Sequence, residues 1–322
     1  MLGTRGSATG EGSMRGKFFP APVFAALAAL AACGGGGGDD SAGAAIAAGV
    51  PNTDIFLLSV KDIDDSPDPA NLRNLTARPG YDNQPAFVPG RQALLFSSIV
   101  DGRQADIFEY DFSEELLTQL TDTEESEYSP TPLGPDGDYS VVRVEQDGAQ
   151  RLWEFSRTGR EPRLLLPQWR NVGYHEWIDS RRVLAFLVGD PSQLAVIDIG
   201  SGIAEVLATG IGRSIHYRPE SDSISFLDII EADRPVMVSY SLGNRERIEI
   251  MEPRPDAQDY IFTSDDAILM AEEKVIYVAT GRRTRWNVWA DLTDYLPGPI
   301  SRLALSADER WVALVVTVAE GG

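Results

Sequence analysis

"PLGPDGDYSVV", residues 132–142, consists of an apolar residue, a tight polar turn and a short apolar run. Proline presets φ for a turn, while Asp and Gly close it through side-chain hydrogen bonds or positive φ. The β-branched and aromatic run that follows, 139–144, is typical of a strand. The segment therefore predicts the end of one strand, a tight turn and the start of the next antiparallel strand.

Related segments return along the chain at a nearly constant interval. Each is marked by the large apolar residue before its turn, and the markers are Phe87, Leu133, Trp177, Tyr217, Phe262 and Leu305. Successive markers lie 46, 44, 40, 45 and 43 residues apart. A period of about 40–45 residues is typical of β-propellers, in which each repeat forms one four-stranded sheet. The repeat predicts an all-β protein.

A second pattern lies inside each repeat. An Asp-Gly turn precedes an aromatic-rich strand in DGRQADIFEYDF (101–112) and again in DGAQRLWEFSR (147–157). Asp-Gly between alternating apolar runs is a strong hairpin signal. Each repeat is therefore interpreted as four antiparallel strands that end in an edge such as LLTQLT (116–121). Prolines and charges interrupt nearly every helical pattern, so we expect little helix.

The two ends of the repeat array complement each other. After the last marker there is one further strand, 311–318, whereas the first repeat is preceded by two unmatched segments, TDIFLLSV (53–60) and NLRNLT (71–76). Pairing 54–60 with 311–318 completes a sixth four-stranded blade and removes exposed strand edges. The sequence thus predicts a six-bladed β-propeller of four-stranded antiparallel blades over 53–322, with its ring closed by the N-terminal outer strands.

The repeat motifs are similar to those of one known family. The GPDG turn, the DG…DIF.YD hairpin and the QLT edge resemble the WD40-like repeats of TolB-type six-bladed propellers, over residues 53–318. This resemblance implies a non-enzymatic scaffold of the bacterial envelope that binds an envelope protein or peptide. TolB proteins carry an additional N-terminal α/β domain, for which residues 34–52 provide no room.

The N-terminal region has the features of a secretory signal. A short cationic segment, 14–17, leads into the apolar run FFPAPVFAALAALAAC (18–33), and a glycine tract follows. Leu30-Ala31-Ala32-Cys33 resembles the bacterial lipobox, which predicts lipid attachment at Cys33; the alternative is an ordinary signal peptide with an incidental cysteine. We expect a signal peptide over 1–32, with translation starting at Met1 or Met14, and a flexible tether over 33–52. Gly34, rather than Asp, after the cysteine resembles the bacterial sorting pattern for the outer membrane, which implies attachment at its periplasmic face.

The charge of the chain excludes several classes of partner. There are 49 acidic and 28 basic residues, for a formal net charge of −21. Nucleic acids and anionic lipid surfaces both require a cationic face. We therefore expect no nucleic-acid partner, contact with the membrane through the lipid alone, and a monomer kept apart from its copies by self-repulsion.

The sequence contains few candidates for catalysis. It has no Gly-x-Ser-x-Gly nucleophile elbow and no phosphate-binding loop. Its only histidines are His175 and His216, on predicted inner strands of adjacent repeats. Because strand side chains alternate in direction, their different registers place the two imidazoles on opposite faces, which makes a poor metal site. We expect no cofactor, no metal and no catalytic residue.

Two acidic segments and one tryptophan are further candidates for a metal-binding or partner-binding site. The acidic segment DIDDSPD (62–68) is interpreted as a solvated loop, since it lacks the Gly and Glu of a calcium-binding EF-hand loop. The acidic segment TDTEESEY (121–128) is also interpreted as a solvated loop, with a face for a cationic partner as the alternative. Trp169 is predicted in a loop, with partner contact as one hypothesis and packing as the other. Besides a binding scaffold, the sequence leaves open a propeller lyase or hydrolase acting on carbohydrate, and a structural subunit of an envelope complex.

Overall fold

The computed structural model describes residues 50–100, 102–230, 234–281 and 285–319. The predicted signal peptide, Cys33 and all but the last three residues of the predicted tether lie outside these ranges. Among the described residues, no helix is long and apolar enough to cross a bilayer.

The described chain is almost entirely β-structure, with two short 3-10 helices, Pro69–Asn71 and Pro219–Ser221. It begins with a strand pair, continues with five groups of four strands and ends with a second pair. The strands are β1 (Thr53–Ser59), β2 (Leu72–Asn74); β3 (Tyr81–Phe87), β4 (Ala93–Ile99), β5 (Ala105–Asp111), β6 (Leu116–Gln119); β7 (Ser126–Pro132), β8 (Tyr139–Val144), β9 (Gln150–Phe155), β10 (Arg163–Leu164); β11 (Val172–Trp177), β12 (Arg182–Leu187), β13 (Gln193–Asp198), β14 (Ala204–Thr209); β15 (Ile211–Arg218), β16 (Ser223–Asp228), β17 (Val236–Ser241), β18 (Arg247–Met251); β19 (Tyr260–Phe262), β20 (Ile268–Glu272), β21 (Val275–Ala279), β22 (Asn287–Asp291); β23 (Ile300–Leu305) and β24 (Trp311–Thr317).

Each group is an antiparallel sheet in which consecutive strands are neighbours. The markers that define the repeat fall at the end of the first strand of their groups, with Leu133 one residue beyond β7. The all-β class and the four-stranded antiparallel sheets are therefore confirmed. The tight turns after the markers reverse the chain direction, so that the first strand of each group pairs with the second strand.

Strands near the two ends of the described chain pair with each other. Strand β1 is antiparallel to β24 along its whole length, from Thr53 opposite Thr317 to Ser59 opposite Trp311. Strand β2 pairs with the other edge of β1. A single parallel pair between Thr53 and Tyr81 also connects β1 to β3, so the first and last groups belong to one eight-stranded sheet.

Apolar clusters hold each group against the next. Val88 and Leu95 of the β3–β6 group pack with Tyr139 and Phe155 of the β7–β10 group, and the rings of Tyr139 and Phe155 stack 5.8 Å apart. Comparable clusters join the other successive groups, including β23, β24 and β1 with the β3–β6 group. Burial of each such side chain contributes about 1.5–3 kcal/mol, so these clusters are the main stabilising contacts between sheets.

The first strand of five of these groups is irregular. The pairing register shifts within β3, β7, β11, β15 and β23. Such β-bulges bend a strand and redirect its side chains, and they are common beside functional sites. These bulges determine which side chains reach the space between the first strands.

The interpretation of 121–128 as a solvated loop is wrong for its second half. Ser126 begins β7, and Glu127 is fully buried. The Glu127 carboxylate lies 3.1 Å from the Arg143 guanidinium on β8 and accepts a 2.7 Å hydrogen bond from the Thr123 hydroxyl. A charged residue is buried when a partner offsets its desolvation, and a local sequence pattern does not reveal that partner. By contrast, the carboxylates of 62–68 are exposed, as expected.

Candidate functional site: the central cavity

A cavity of about 210 Å³ lies where the first strands of all the groups meet. We call it the central cavity. Its wall includes polar side chains from β3, β7, β11, β15 and β23 and from the residue before β19: Gln84, Thr131, His175, His216, Arg302 and Asp259.

Two arginines share one carboxylate at this cavity. The Asp259 Oδ2 atom lies 3.8 Å from Arg213 Nε and 3.6 Å from Arg302 Nη1. Arg302 also donates a 2.9 Å hydrogen bond to the Tyr174 hydroxyl and lies over the Tyr174 ring. Arg213 donates to the carbonyl of Ser301. The side chains of both arginines are about nine-tenths buried.

The same residues form the wall of a second cavity. We call this space of about 460 Å³ the mouth cavity; it is lined by 255–259 before β19, by the β20–β21 turn and by 299–303. Arg213, Asp259 and Arg302 line both cavities. The charged cluster therefore lies at the junction between the two spaces.

The two histidines point away from each other, as the sequence predicted. His175 Nε2 lies 2.7 Å from the Ser140 hydroxyl on β8, in the preceding group. The His216 ring packs edge-on against Tyr260 of β19, in the following group, at 4.8 Å between centroids. Burial lowers the pKa of His175 to about 3 and also lowers the pKa of His216, so both imidazoles are neutral at physiological pH.

Ser140 and His175 do not form a nucleophile–base pair. Ser140 is fully buried, and its hydroxyl also accepts a 2.9 Å hydrogen bond from the Trp177 indole. An activated serine needs access to substrate and a base oriented by a third group. Within the described ranges, His175 Nδ1 has no hydrogen-bond partner that would orient it.

Glu176 is the most perturbed carboxyl group near the cavity. It follows His175 on β11, and its Oε2 lies 3.9 Å from His216 Nδ1. Burial raises the pKa of Glu176 to about 8, although a hydrogen bond from the Tyr217 backbone opposes the shift. This carboxyl is therefore largely protonated at neutral pH and adds little negative charge to the site.

Several buried polar atoms at the central cavity lack a partner among the described residues. They are Gln84 Nε2, His175 Nδ1 and Arg213 Nε, on residues that are each less than 9% exposed. Buried polar atoms are normally hydrogen-bonded, so each exception needs an explanation. The described part of the chain contains no group of three or more His, Cys, Asp or Glu residues that could hold a metal ion.

Two non-glycine residues of the same wall have left-handed backbone. Gln84 has φ +58° and Ser129 has φ +54°, at equivalent places in β3 and β7. The Gln84 Oε1 atom accepts hydrogen bonds from the Ser129 amide and the Ser97 hydroxyl, at 2.8 and 3.0 Å. Left-handed backbone at non-glycine residues costs about 1–3 kcal/mol each and is typical of ligand-binding sites.

The residues that the sequence offered as candidate site residues lie in different parts of the structure. His175 and His216 both line the central cavity, whereas Trp169 uses its indole to donate a 3.0 Å hydrogen bond to Gly202 and packs against an apolar cluster. This arrangement favours the packing interpretation of Trp169. Sequence reasoning missed Gln84, Arg213, Asp259 and Arg302, whose only signal was an Arg at the third position of both β15 and β23.

Comparison with solved structures finds proteins of the same fold, whereas comparison with family models and curated sequences finds no match. No protein-family model matches the chain, and a search of curated proteins gives no match. A putative TolB from Agrobacterium tumefaciens is 14% identical, with a TM-score of 0.64 over 84% of this chain and 100% of that one. A putative gluconolactonase is 12% identical, with a TM-score of 0.56 over 77% of this chain and 93% of the other. TolB from Acinetobacter baumannii is 11% identical, with a TM-score of 0.55 over 84% of this chain and 64% of the other. The chain therefore has a TolB-like β-propeller fold; at these identities the likeness extends to the fold alone.

Proposed function

We propose that this chain is a non-enzymatic binding scaffold of the bacterial cell envelope. In this proposal, residues 53–322 form a six-bladed propeller, and a lipid on Cys33 holds it on the periplasmic face of the outer membrane. An envelope protein or peptide binds at the mouth cavity and the central cavity. The scaffold acts as a monomer and uses no cofactor.

The strand groups support the number of blades. Five groups follow one another along the chain from β3 to β22, and a sixth is obtained by adding β1 and β2 to β23 and β24. Apolar clusters join every group to its neighbour, including the last to the first. A ring that is closed in this way covers strand edges that would otherwise invite aggregation.

The observation that carries the binding role is the polar wall of the central cavity. Strands β3, β7, β11, β15 and β23 and the residue before β19 contribute to it, and several of its lining residues have buried polar atoms without a hydrogen-bond partner in the described part of the chain. The candidate nucleophile, Ser140, is fully buried, and both histidines are neutral and packed against neighbouring sheets. Such a wall is better suited to recognition than to covalent catalysis.

Crosslinking in intact bacterial cells tests the binding role and the anchor together. We expect a photoreactive residue at Gln258, in the mouth cavity, to capture one discrete envelope partner. The same residue at Glu249, on the edge strand β18, serves as the matched control and should capture none. Capture at position 249 alone, or at neither site, would argue against the proposal.

Cys33→Ser should abolish fatty-acid labelling and release the protein from membranes, because each buried methylene of a lipid contributes about 0.8 kcal/mol.

A second function, an enzyme acting on carbohydrate, is favoured by one feature. Glu176 has a raised pKa and lies beside His216, and a carboxyl that titrates near neutral pH is suited to general acid–base catalysis. The fold likeness to a putative gluconolactonase leaves this alternative open.

Glu176→Gln distinguishes the two functions. If the protein is a scaffold, this variant should still give the Gln258 crosslink and the purified protein should not turn over polysaccharides or sugar lactones. A loss of about 10²–10⁴-fold in a measurable turnover would instead identify Glu176 as a general acid or base. Asp308→Asn, in an exposed turn remote from the cavity, is the matched control.

A further inference from the structure

We propose that the junction of the two cavities is a binding site for a carboxylate group, formed by Arg213 and Arg302 with Gln84 and His175 as further donors. This inference deepens the proposed function, on which it rests, by assigning the chemical class of the ligand. The recognised group is either the C-terminal carboxylate of a peptide or a small free carboxylate.

The first argument is local charge. Arg213 and Arg302 are buried and ion-paired with one carboxylate, Asp259, so these three side chains together carry one positive charge; Asp256, Glu272 and Glu273 also line the mouth cavity beside them. His175 and His216 are neutral and add no charge, and the raised pKa of Glu176 reduces its negative charge at neutral pH. The chain as a whole carries a formal charge of −21, which makes a buried positive site exceptional. Buried charges need counter-charges, and an anionic ligand provides the one that is lacking here.

The second argument is the supply of hydrogen-bond donors. Among the described residues, Gln84 Nε2 has no hydrogen-bond partner, and Arg213 Nε makes no hydrogen bond but lies 3.8 Å from Asp259 Oδ2. His175 Nδ1 also carries a proton when Nε2 accepts from the Ser140 hydroxyl, a geometry consistent with their 2.7 Å separation. All three residues line the central cavity. A carboxylate only accepts hydrogen bonds, through two oxygens with about four lone-pair sites, and therefore matches this set.

The third argument is how the donors are held in place. The Arg302 guanidinium is held by the hydroxyl and ring of Tyr174, and Arg213 is held by the Ser301 carbonyl. Gln84 uses its Oε1 for Ser129 and Ser97, which directs its amide nitrogen away from them. Donors fixed in advance lose little entropy on binding, so a preorganised set favours a specific ligand.

The fourth argument is size. The central cavity of about 210 Å³ is smaller than a typical drug-sized pocket, but it accommodates a carboxylate with a short side chain. The mouth cavity of about 460 Å³ shares the arginines and leaves space for the rest of an extended ligand. In this arrangement the ligand places its carboxylate at the arginines and the rest of its chain in the mouth cavity.

Calorimetric titration of the full chain at low ionic strength tests the site. The probes are succinate, the peptide acetyl-Ala-Ala-Gly-Ala with a free C-terminus, and the same peptide amidated. We expect the free-acid peptide or succinate to bind with a dissociation constant of about 1 mM or tighter, and the amidated peptide at least about tenfold more weakly. Binding of the free-acid peptide alone identifies a peptide terminus as the ligand group, and binding of succinate alone identifies a small carboxylate.

Gln84→Glu is the decisive variant because it changes the charge of one donor while keeping the length and shape of its side chain. It keeps an oxygen for Ser97 and Ser129 but replaces the unpartnered amide nitrogen by an anionic oxygen. We expect binding to weaken at least about tenfold in a variant whose thermal unfolding remains cooperative. Arg302→Gln should do the same, and Arg163→Gln, an exposed arginine on the edge strand β10, should have no effect.

The results also separate this inference from the proposed function. If neither carboxylate binds the folded chain, if the amide binds as well as the acid, or if Gln84→Glu leaves affinity unchanged, the carboxylate site is overturned. A Gln258 crosslink that persists in that case leaves the scaffold role standing. Loss of the crosslink with carboxylate binding intact would instead contradict the scaffold role.

Discussion

A chain that begins at residue 61 will fail to fold cooperatively, whereas one that begins at residue 50 will fold like the parent. The shorter chain lacks β1, in which Ile55, Leu57 and Leu58 are fully buried and Phe56 nearly so. Burial of four such side chains contributes about 6–12 kcal/mol. That amount is comparable with the entire stability of a typical domain, about 5–15 kcal/mol.

Thermal unfolding followed by circular dichroism measures this difference. The longer chain is the matched control because it retains Asn52, which accepts a hydrogen bond from the Gly80 amide, and all of β1. We also expect the shorter chain to aggregate, since β24 would expose an apolar edge strand. A sharp transition near the parental midpoint for the shorter chain would show that the β1–β24 pairing is dispensable.

Replacing Arg143 should destabilise the protein by about 3–5 kcal/mol at pH 8, because Arg143→Leu leaves a buried carboxylate without its cation. The Arg143 guanidinium lies 3.1 Å from the fully buried Glu127 carboxylate and also packs over the Trp153 ring. Urea unfolding gives the free energy of unfolding directly. Arg163→Gln, which breaks an exposed ion pair with Glu154, should change it by no more than about 0.5 kcal/mol.

The pH dependence of this loss has a definite sign. Burial raises the pKa of Glu127 to about 7 in the folded protein, above its usual value of 4.5. Its contribution to stability is therefore fully present below about pH 4.5 and is lost as the pH rises through about 7. Asp106, whose pKa burial raises to about 6, acts in the same direction. Arg143→Leu should thus cost less at pH 5 than at pH 8.

A second substitution checks the assignment. Glu127→Gln in the Arg143→Leu background removes the buried ionisable group, so it should recover much of the stability at pH 8 and flatten the pH profile. An equal loss at both pH values, or no recovery in the double variant, would mean that lost packing on Trp153, rather than an unpaired charge, causes the effect.

The repeating architecture was accessible to sequence reasoning because its signals are local. The turn after Leu133 and the Asp-Gly hairpin at 147–148 act over a few residues, and each recurs, so errors in one repeat are corrected by the others. The closure by 54–60 was predicted because 311–318 lacked partners. Neither inference required knowledge of a single side-chain contact.

The cavity chemistry was not accessible in the same way. Arg213 and Arg302 are 89 residues apart in the sequence, and only the meeting of β15, β19 and β23 brings them to Asp259. The β-bulges that redirect these side chains also leave no local sequence mark. Glu127 was misread for the same reason, since its burial depends on a cation supplied by another strand.

Strand order, turn positions and the pairing of the chain ends thus follow from periodic apolar patterns and turn residues, which act between neighbours in the chain. Which charges are buried, which histidines are neutral and where donors lack partners depends on contacts between sheets. Desolvation and Coulombic pairing act through space and fall off within a few ångströms, so they become defined only once the sheets have packed together.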